Sequence, residues 1–544
     1  MPTHRVRLRR ASDLASTDVV PGASALELCT DPDELDGIKR DAAAMEGRGA
    51  VGLLRPRSEA ELAHWLRDNP DTPVLAQGAL TSLTGGATPD DDVVVSLARM
   101  TRLQVHEDLR RVTVGAGLVL ANLQEQLADQ GLYYPPAPTH DGASVGGNVA
   151  TNAAGAATFK YGTTRQWVER IRVVLRHGDV LELRRGEHEL CAGDVLRLEG
   201  SRTIELPLPS FRSPELKKSS AGYFVRSPMD AIDLLIGSEG TLGIITEIEL
   251  SVVKQPRVVT GLCIVDSLDQ AIALAGELRA QSKRSRAEKR AHGLDVRSIE
   301  LFDRRCLELI RAEGKLDAIP LDVPDSAAAC LLFEQEIGEG LSEQVLFDRL
   351  ADALEGRPHA DDPLGEIVTV LESFSVVDHT EIALPSQARR QKQLAAVREA
   401  IPLSISDWLV RRKKTHPEVH KVAGDMIVPF AHFGEMMQRY YQAFQSRGVD
   451  VAVFGHISDG NVHPNTLPQD AEQLARAKEA LLELADAAKT LGGCPLSEHG
   501  VGKHPLKKLM LARFWGAAVI DEMRAIKGAF DPGWTLARGV FFDP

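Results

Sequence analysis

The feature that most limits how this chain can fold is a run of small residues between Pro135 and Gly155. Its centre, Gly142-Ala143-Ser144-Val145-Gly146-Gly147-Asn148-Val149-Ala150-Thr151-Asn152-Ala153-Ala154-Gly155, carries little apolar side-chain volume. Such a stretch fills a core poorly, yet it lets backbone pack closely on a planar or phosphorylated group. Two other segments share the character. Gln77-Gly78-Ala79-Leu80-Thr81-Ser82-Leu83-Thr84-Gly85-Gly86 follows a strand-like run and joins glycines, which permit positive φ, to three hydroxyl donors, the composition of an anion cradle. Gly237-Ser238-Glu239-Gly240-Thr241-Leu242-Gly243 leads into the strand-like Glu247–Val253. Each alone reads equally well as a turn. The three in one chain do not.

A literal GxGxxG at Gly47-Arg48-Gly49-Ala50-Val51-Gly52 fails the context test for a dinucleotide fold. It needs a strand before it and a helix after it, and Leu53-Leu54-Arg55-Pro56 cannot continue as a crossover helix. NAD is therefore not expected. A formal charge of −14 argues against nucleic acid as the partner. The six cysteines are dispersed without a CxxC pair, which suits free thiols in a reducing, cytoplasmic setting. No window reaches the apolar length of a membrane span, so any membrane contact is expected to be peripheral, at the inner face. At 544 residues the chain exceeds one core's usual reach.

We expect a helix-like N-terminal segment over 1–49 and a mixed α and β domain over 50–255. A second domain over 256–544 follows, where strands alternate with longer helices. Expected elements include a helix from Ser58, whose Ser-x-x-Glu start is a capping signature, strands at Leu103–His106 and Arg111–Gly115, and a hairpin of Arg170–Arg176 with Val180–Arg184. The basic run Lys283 to Arg290 reads as a solvated loop.

In the second half, Gly455-His456-Ile457-Ser458-Asp459-Gly460-Asn461-Val462-His463 reads as strand, tight turn, strand, because Asp-Gly-Asn is turn chemistry. Two imidazoles then converge. Neutral imidazole suits a borderline divalent ion such as zinc, and Glu498, in Leu496-Ser497-Glu498-His499-Gly500-Val501-Gly502, is the candidate carboxylate ligand.

The three small-residue segments, in this order and spacing, resemble the FAD-binding domain of the vanillyl-alcohol-oxidase (PCMH-type) flavoprotein superfamily. The resemblance implies an α+β fold: a two-subdomain FAD-binding domain, then a substrate (cap) domain with an antiparallel sheet. It also implies that Gln77, Gly78, Ala79, Leu80, Thr81, Ser82, Thr84 and Gly85 wrap the FAD pyrophosphate. Pro138, Ser144, Gly147, Asn148, Thr151, Asn152, Gly155, Tyr161 and Gly162 would line the cofactor, with Glu239, Gly240 and Ile245 on the adenosine side. Members with covalent flavin often carry a histidine in the first loop; here there is none, so non-covalent FAD is expected.

The histidine and glutamate motifs are similar to the substrate domain of the D-lactate, D-2-hydroxyglutarate and glycolate dehydrogenases in that superfamily. By that resemblance His456, His463 and Glu498 hold a divalent metal, expected to be zinc, and His499 is the base. Asn461 sits near substrate and flavin, and Arg398 and Lys421 hold the substrate carboxylate. The interval from Arg398 to Lys421 is longer than relatives show, and Pro402 stands where some offer a hydroxyl. The implied reaction is oxidation of a D-2-hydroxy acid to the 2-oxo acid by hydride transfer to flavin N5. Electrons would pass to a quinone, an electron-transfer flavoprotein or a cytochrome. A homodimer is compatible with this reading. Two alternatives stay open: an alkylglycerone-phosphate-synthase-like FAD transferase, and a catalytically silent FAD-binding subunit of a larger oxidase.

Overall fold

The computed structural model describes residues 2–14, 26–106, 110–136, 140–315 and 323–544, so Pro138 lies outside the described residues. Packing divides the chain into two compact units. The first comprises Met1–Gly155, Gly162–Gln255 and Leu496–Pro544; the second comprises Ala156–Tyr161 and Pro256–Pro495. This differs from a linear cut after residue 255, because the C-terminal residues from Leu496 pack with the first unit. Val74 N–H, for example, donates to Thr535 O, and buried Asp92 holds Arg538.

In the first unit, Gly49–Leu54, Asp90–Ser96 and Val74–Gln77 form a parallel three-stranded sheet with Asp90–Ser96 in the middle. The Gly-rich 47–52 stretch thus runs into a strand from Gly49 rather than into a helix. The helix Glu59–Asp68 is capped by Ser58, whose side chain accepts from Glu61 N–H, and it buries Leu62, Ala63 and Leu66. A five-stranded antiparallel sheet runs in the order Leu103–His106, Arg111–Gly115, Ile244–Ser251, Val168–Val174, Val180–Arg184. The N-terminal segment corrects the helical expectation. Thr3–Arg7 is a strand pairing in parallel with Val195–Glu199, some 190 residues away, a partner that local pattern does not reveal.

The second unit is built on a seven-stranded antiparallel sheet. Its order is Thr380–Ala383, Arg257–Val265, Ala329–Ile337, Val296–Asp303, Val451–His456, Asn461–Thr466, Met426–Ile427. The helix Ala388–Lys413 lays Leu394, Val397, Ile401, Ile405 and Leu409 into a core shared with Phe302, Leu262 and Leu332. The basic run expected as loop is instead partly helical, since the helix from Leu268 continues to Ala287. Arg284 and Arg286 in its last turn favour the negative helix end, and Arg286 and Arg290 pair with Asp295 and Glu366. Among the described residues, no helix is long and apolar enough to cross a membrane.

Candidate active site

The first unit contains an open cleft lined by all three small-residue segments. Glycine is what lets these segments meet. A Cβ on Gly78 would fall 2.0 Å from Ser144 Oγ, and one on Gly146 would fall 2.5 Å from the Ala116 Cβ. Ser144 caps the short helix Val145–Ala150 by accepting from Gly147 N–H at 3.2 Å. Gln77 closes the first loop by donating to Ile38 O and Ala87 O at 2.9 and 2.7 Å. Asn148 Nδ2 is buried and finds no partner among the described residues, although Asn148 lines the cleft. A buried donor of this kind is costly unless satisfied, and a carbonyl or phosphate oxygen in the cleft would satisfy it. The lining therefore fits a phosphorylated, planar cofactor.

The loop after Leu496 puts Glu498 and His499 on the wall of the same cleft. Its shape depends on Gly500 and Gly502, at φ +79° and +54°; a Cβ at Gly502 would lie 2.4 Å from Thr84 O. Glu239 pins the loop by accepting from Val501 N–H and Gly502 N–H, both at 2.8 Å. Burial pushes the Glu239 carboxyl up to about 7 despite those two donors and nearby Lys507. Ser220 Oγ accepts from Gly500 N–H at 3.2 Å, and buried Lys218 reaches Glu498 Oε2 at 2.6 Å. Lys218 belongs to no recognisable motif, and sequence reasoning passed over it.

Of the residues expected at the cofactor, Gln77, Gly78, Ala79, Leu80, Thr81, Ser82, Ser144, Gly147, Asn148, Thr151, Glu239, Gly240 and Ile245 line the cleft. Thr84, Gly85, Asn152, Gly155 and Gly162 lie outside its lining. Asn152 Oδ1 instead accepts from Arg165 N–H at 2.9 Å, and Gly85, at φ +72°, packs against Met45. Tyr161 belongs to the second unit, where its hydroxyl donates to Glu336 at 2.5 Å. Sequence reasoning did not assign His140, Gly146 or Gly243, which also line the cleft.

In the second unit the strand–turn–strand Val451–His456 and Asn461–Thr466 turns at Gly460, φ +86°, where a Cβ would meet Val428 O at 2.2 Å. Cross-strand partners in this pair are Phe454 with His463 and His456 with Asn461, so all four share one face of the sheet. Phe454 packs against the core beneath the helix Ala388–Lys413, which identifies that face as the one covered by the helix. The His456 and His463 rings stand 5.6 Å apart, nearly perpendicular. His456 Nδ1 donates to buried Glu300 at 2.5 Å, and Glu300 Oε2 lies 3.7 Å from Arg398 Nε. His463 Nδ1 lies 3.6 Å from buried Asp425, whose Oδ1 accepts from Asn461 Nδ2 at 3.4 Å. Lys421 is exposed, five residues before the strand Met426–Ile427. The Asp425 carboxylate and the His463 imidazole bring ligand atoms within 4.8 Å of each other, a separation that suits a shared divalent cation, whereas His456 Nδ1 is engaged by Glu300. Glu300 and Asp425 were not anticipated, since neither lies in a motif.

The fold and the flavin-type cleft place this chain in a class that comparison with known proteins makes definite. The family model described as FAD linked oxidases, C-terminal domain, matches residues 254–540, and the FAD binding domain model matches 50–184. The chain belongs to the FAD-linked oxidase family. It is 27% identical to glycolate oxidase subunit GlcD of Bacillus subtilis (strain 168), over 90% of this chain and 88% of that protein. To D-2-hydroxyglutarate dehydrogenase of Stutzerimonas stutzeri (strain A1501) it is also 27% identical, over 97% and 98%. D-lactate dehydrogenase of Archaeoglobus fulgidus gives 27% over 90% of each chain. A solved structure of alkyldihydroxyacetonephosphate synthase shares the fold at TM-score 0.58 and 15% identity, covering 94% of this chain and 81% of that one.

Proposed function

We propose that this protein is an FAD-dependent dehydrogenase that oxidises a D-2-hydroxy acid of the lactate or 2-hydroxyglutarate type to its 2-oxo acid. The observation that carries the reading is the placement of His499 and Glu498 on the wall of the cleft formed by the three small-residue segments. That puts a proton acceptor on the wall of the cleft whose lining fits the cofactor. The names of the relatives, each matched over most of its length, support the same class: two name D-2-hydroxy acids, and the third names glycolate, an achiral 2-hydroxy acid.

FAD, when bound, supplies the acceptor at N5 for the hydride leaving C2. His499 takes the proton from the substrate hydroxyl, and its loop is held in place by Glu239, Ser220 and Lys218. Arg398 offers a guanidinium fork to the substrate carboxylate, with Lys421 a second cation and Asn461 a polar neighbour. A divalent metal, with zinc the first choice, would be held by His456, His463 and Glu498 and would lower the pKa of the substrate hydroxyl. Because Nδ1 of His456 is occupied by Glu300, Nε2 is the nitrogen it offers. The six cysteines form no disulfide, which suits a reducing, cytoplasmic location, with reoxidation by a quinone, an electron-transfer flavoprotein or a cytochrome.

The test is turnover of paired D- and L-2-hydroxy acids with a dye acceptor, trapping the product as its hydrazone. The 2-oxo acid should form from the D series alone. Flavin-loaded protein that yields none from any acid would instead support the transferase or silent-subunit alternative.

A further inference from the structure

Glu300 lies within the strand Val296–Asp303 and is 3% exposed, a costly place for a carboxylate unless both oxygens have work. It shares a strand face with Phe302, which packs in the core under the helix Ala388–Lys413, so its side chain points toward that helix. The sheet register sets Leu301 opposite Gly455 and Phe302 opposite Phe454, which brings Glu300 abreast of His456. One oxygen accepts from His456 Nδ1, and the other lies 3.7 Å from Arg398 Nε. An ionised carboxylate can only accept, so Nδ1 carries a proton, and in the neutral ring Nε2 is the nitrogen that offers a lone pair.

A simple neutralising role for Glu300 is a poor account. Arg398 already has a second carboxylate near it in Glu334, whose ionisation burial opposes but which Arg297 and Arg398 hold in the ionised form, and which accepts from Arg297 Nε at 2.8 Å and Ser298 Oγ at 3.1 Å. What Glu300 adds is a rigid link between a helix residue and a strand-end histidine.

We propose that Glu300 is a positioning residue that couples two jobs: it aims His456 Nε2 toward the metal and sets Arg398 at the spacing a 2-hydroxy carboxylate requires. This rests on the metal and substrate assignments proposed above. The test uses FAD-loaded protein, wild type against Glu300→Gln and Glu300→Asp, measuring zinc affinity by chelator competition alongside KM and kcat for the best D-2-hydroxy acid. The Gln variant keeps an acceptor for His456 but turns a donor toward Arg398. The Asp variant keeps the charge but is one methylene too short to hold both partners.

Both variants should weaken zinc about tenfold to a hundredfold and raise KM at least as much as they lower kcat, with the flavin spectrum unchanged. Zinc affinity and KM both within about twofold of wild type would overturn the proposal, as would movement of only one of them, since the coupling would then be absent. Wild-type protein that takes up no zinc would overturn it too, but by removing the metal reading itself, an outcome visible before any variant is made.

Discussion

The two units build their functional surfaces from opposite materials. In the first, the cleft is drawn mainly by backbone and small side chains: Gly146 leaves no room for a Cβ beside Ala116, Gly78 lies against Ser144, and the few polar groups, such as Asn148 and Glu239, sit at fixed points around it. In the second, the face that bears His456, His463 and Asn461 is a set of buried charges and rings held by one another, with Glu300, Arg398 and Asp425 as the links. The first kind of site should fail abruptly, by steric exclusion. The second should fail by degrees, through lost orientation and affinity.

The largest effect is expected at His499, the one proposed catalytic side chain on the cleft wall. His499→Asn should lower turnover by about 10² to 10⁴ while leaving the flavin spectrum intact; near-normal flavin reduction would remove His499 as the base. Gly146→Val is the steric counterpart. Because even a Cβ there would lie 2.5 Å from the Ala116 Cβ and 2.7 Å from Ala116 O, the variant should purify with little flavin, read from its visible absorbance against that at 280 nm. Flavin content equal to wild type would show that the cleft is more yielding than this comparison holds. In the second unit, Arg398→Leu should raise KM by about tenfold to a hundredfold, the order of a lost charged hydrogen bond, with FAD content unaltered.

The smallest effect concerns pH. The Glu239 carboxyl is raised from 4.5 to about 7, so the folded state holds its proton more tightly than the unfolded chain does. Its contribution to stability is therefore greatest below pH 4.5 and declines as pH rises through 7. Urea unfolding at pH 5 and pH 8 should show Glu239→Gln gaining on the parent at the higher pH. An unchanged difference would mean that Glu239 is not the strained carboxyl it is taken to be.

Legibility in the sequence followed the same division. Backbone-built features announce themselves, because glycine runs and turn residues have few other uses. The cleft segments, the turn at Gly460 and the Ser58 cap were all readable, and the strands Leu103–His106 and Arg111–Gly115 have the expected bounds. Features that depend on distant pairing were not. Thr3–Arg7 is too polar and short to declare itself a strand without Val195–Glu199 beside it, and the return of the C-terminal residues to the first unit leaves no local mark. Lys218, Glu300 and Asp425 stayed hidden for a related reason. Each is an isolated charged residue whose meaning comes from burial next to Glu498, His456 or His463.

The central claim, that this flavin cleft serves oxidation of D-2-hydroxy acids, is tested most directly by the visible spectrum of the purified, anaerobic protein before and after each acid of a D and L panel. The account predicts an oxidised-flavin band that bleaches with D-2-hydroxy acids and persists with their L enantiomers. A flavin band that no hydroxy acid bleaches, or one that L-acids bleach equally well, would contradict it.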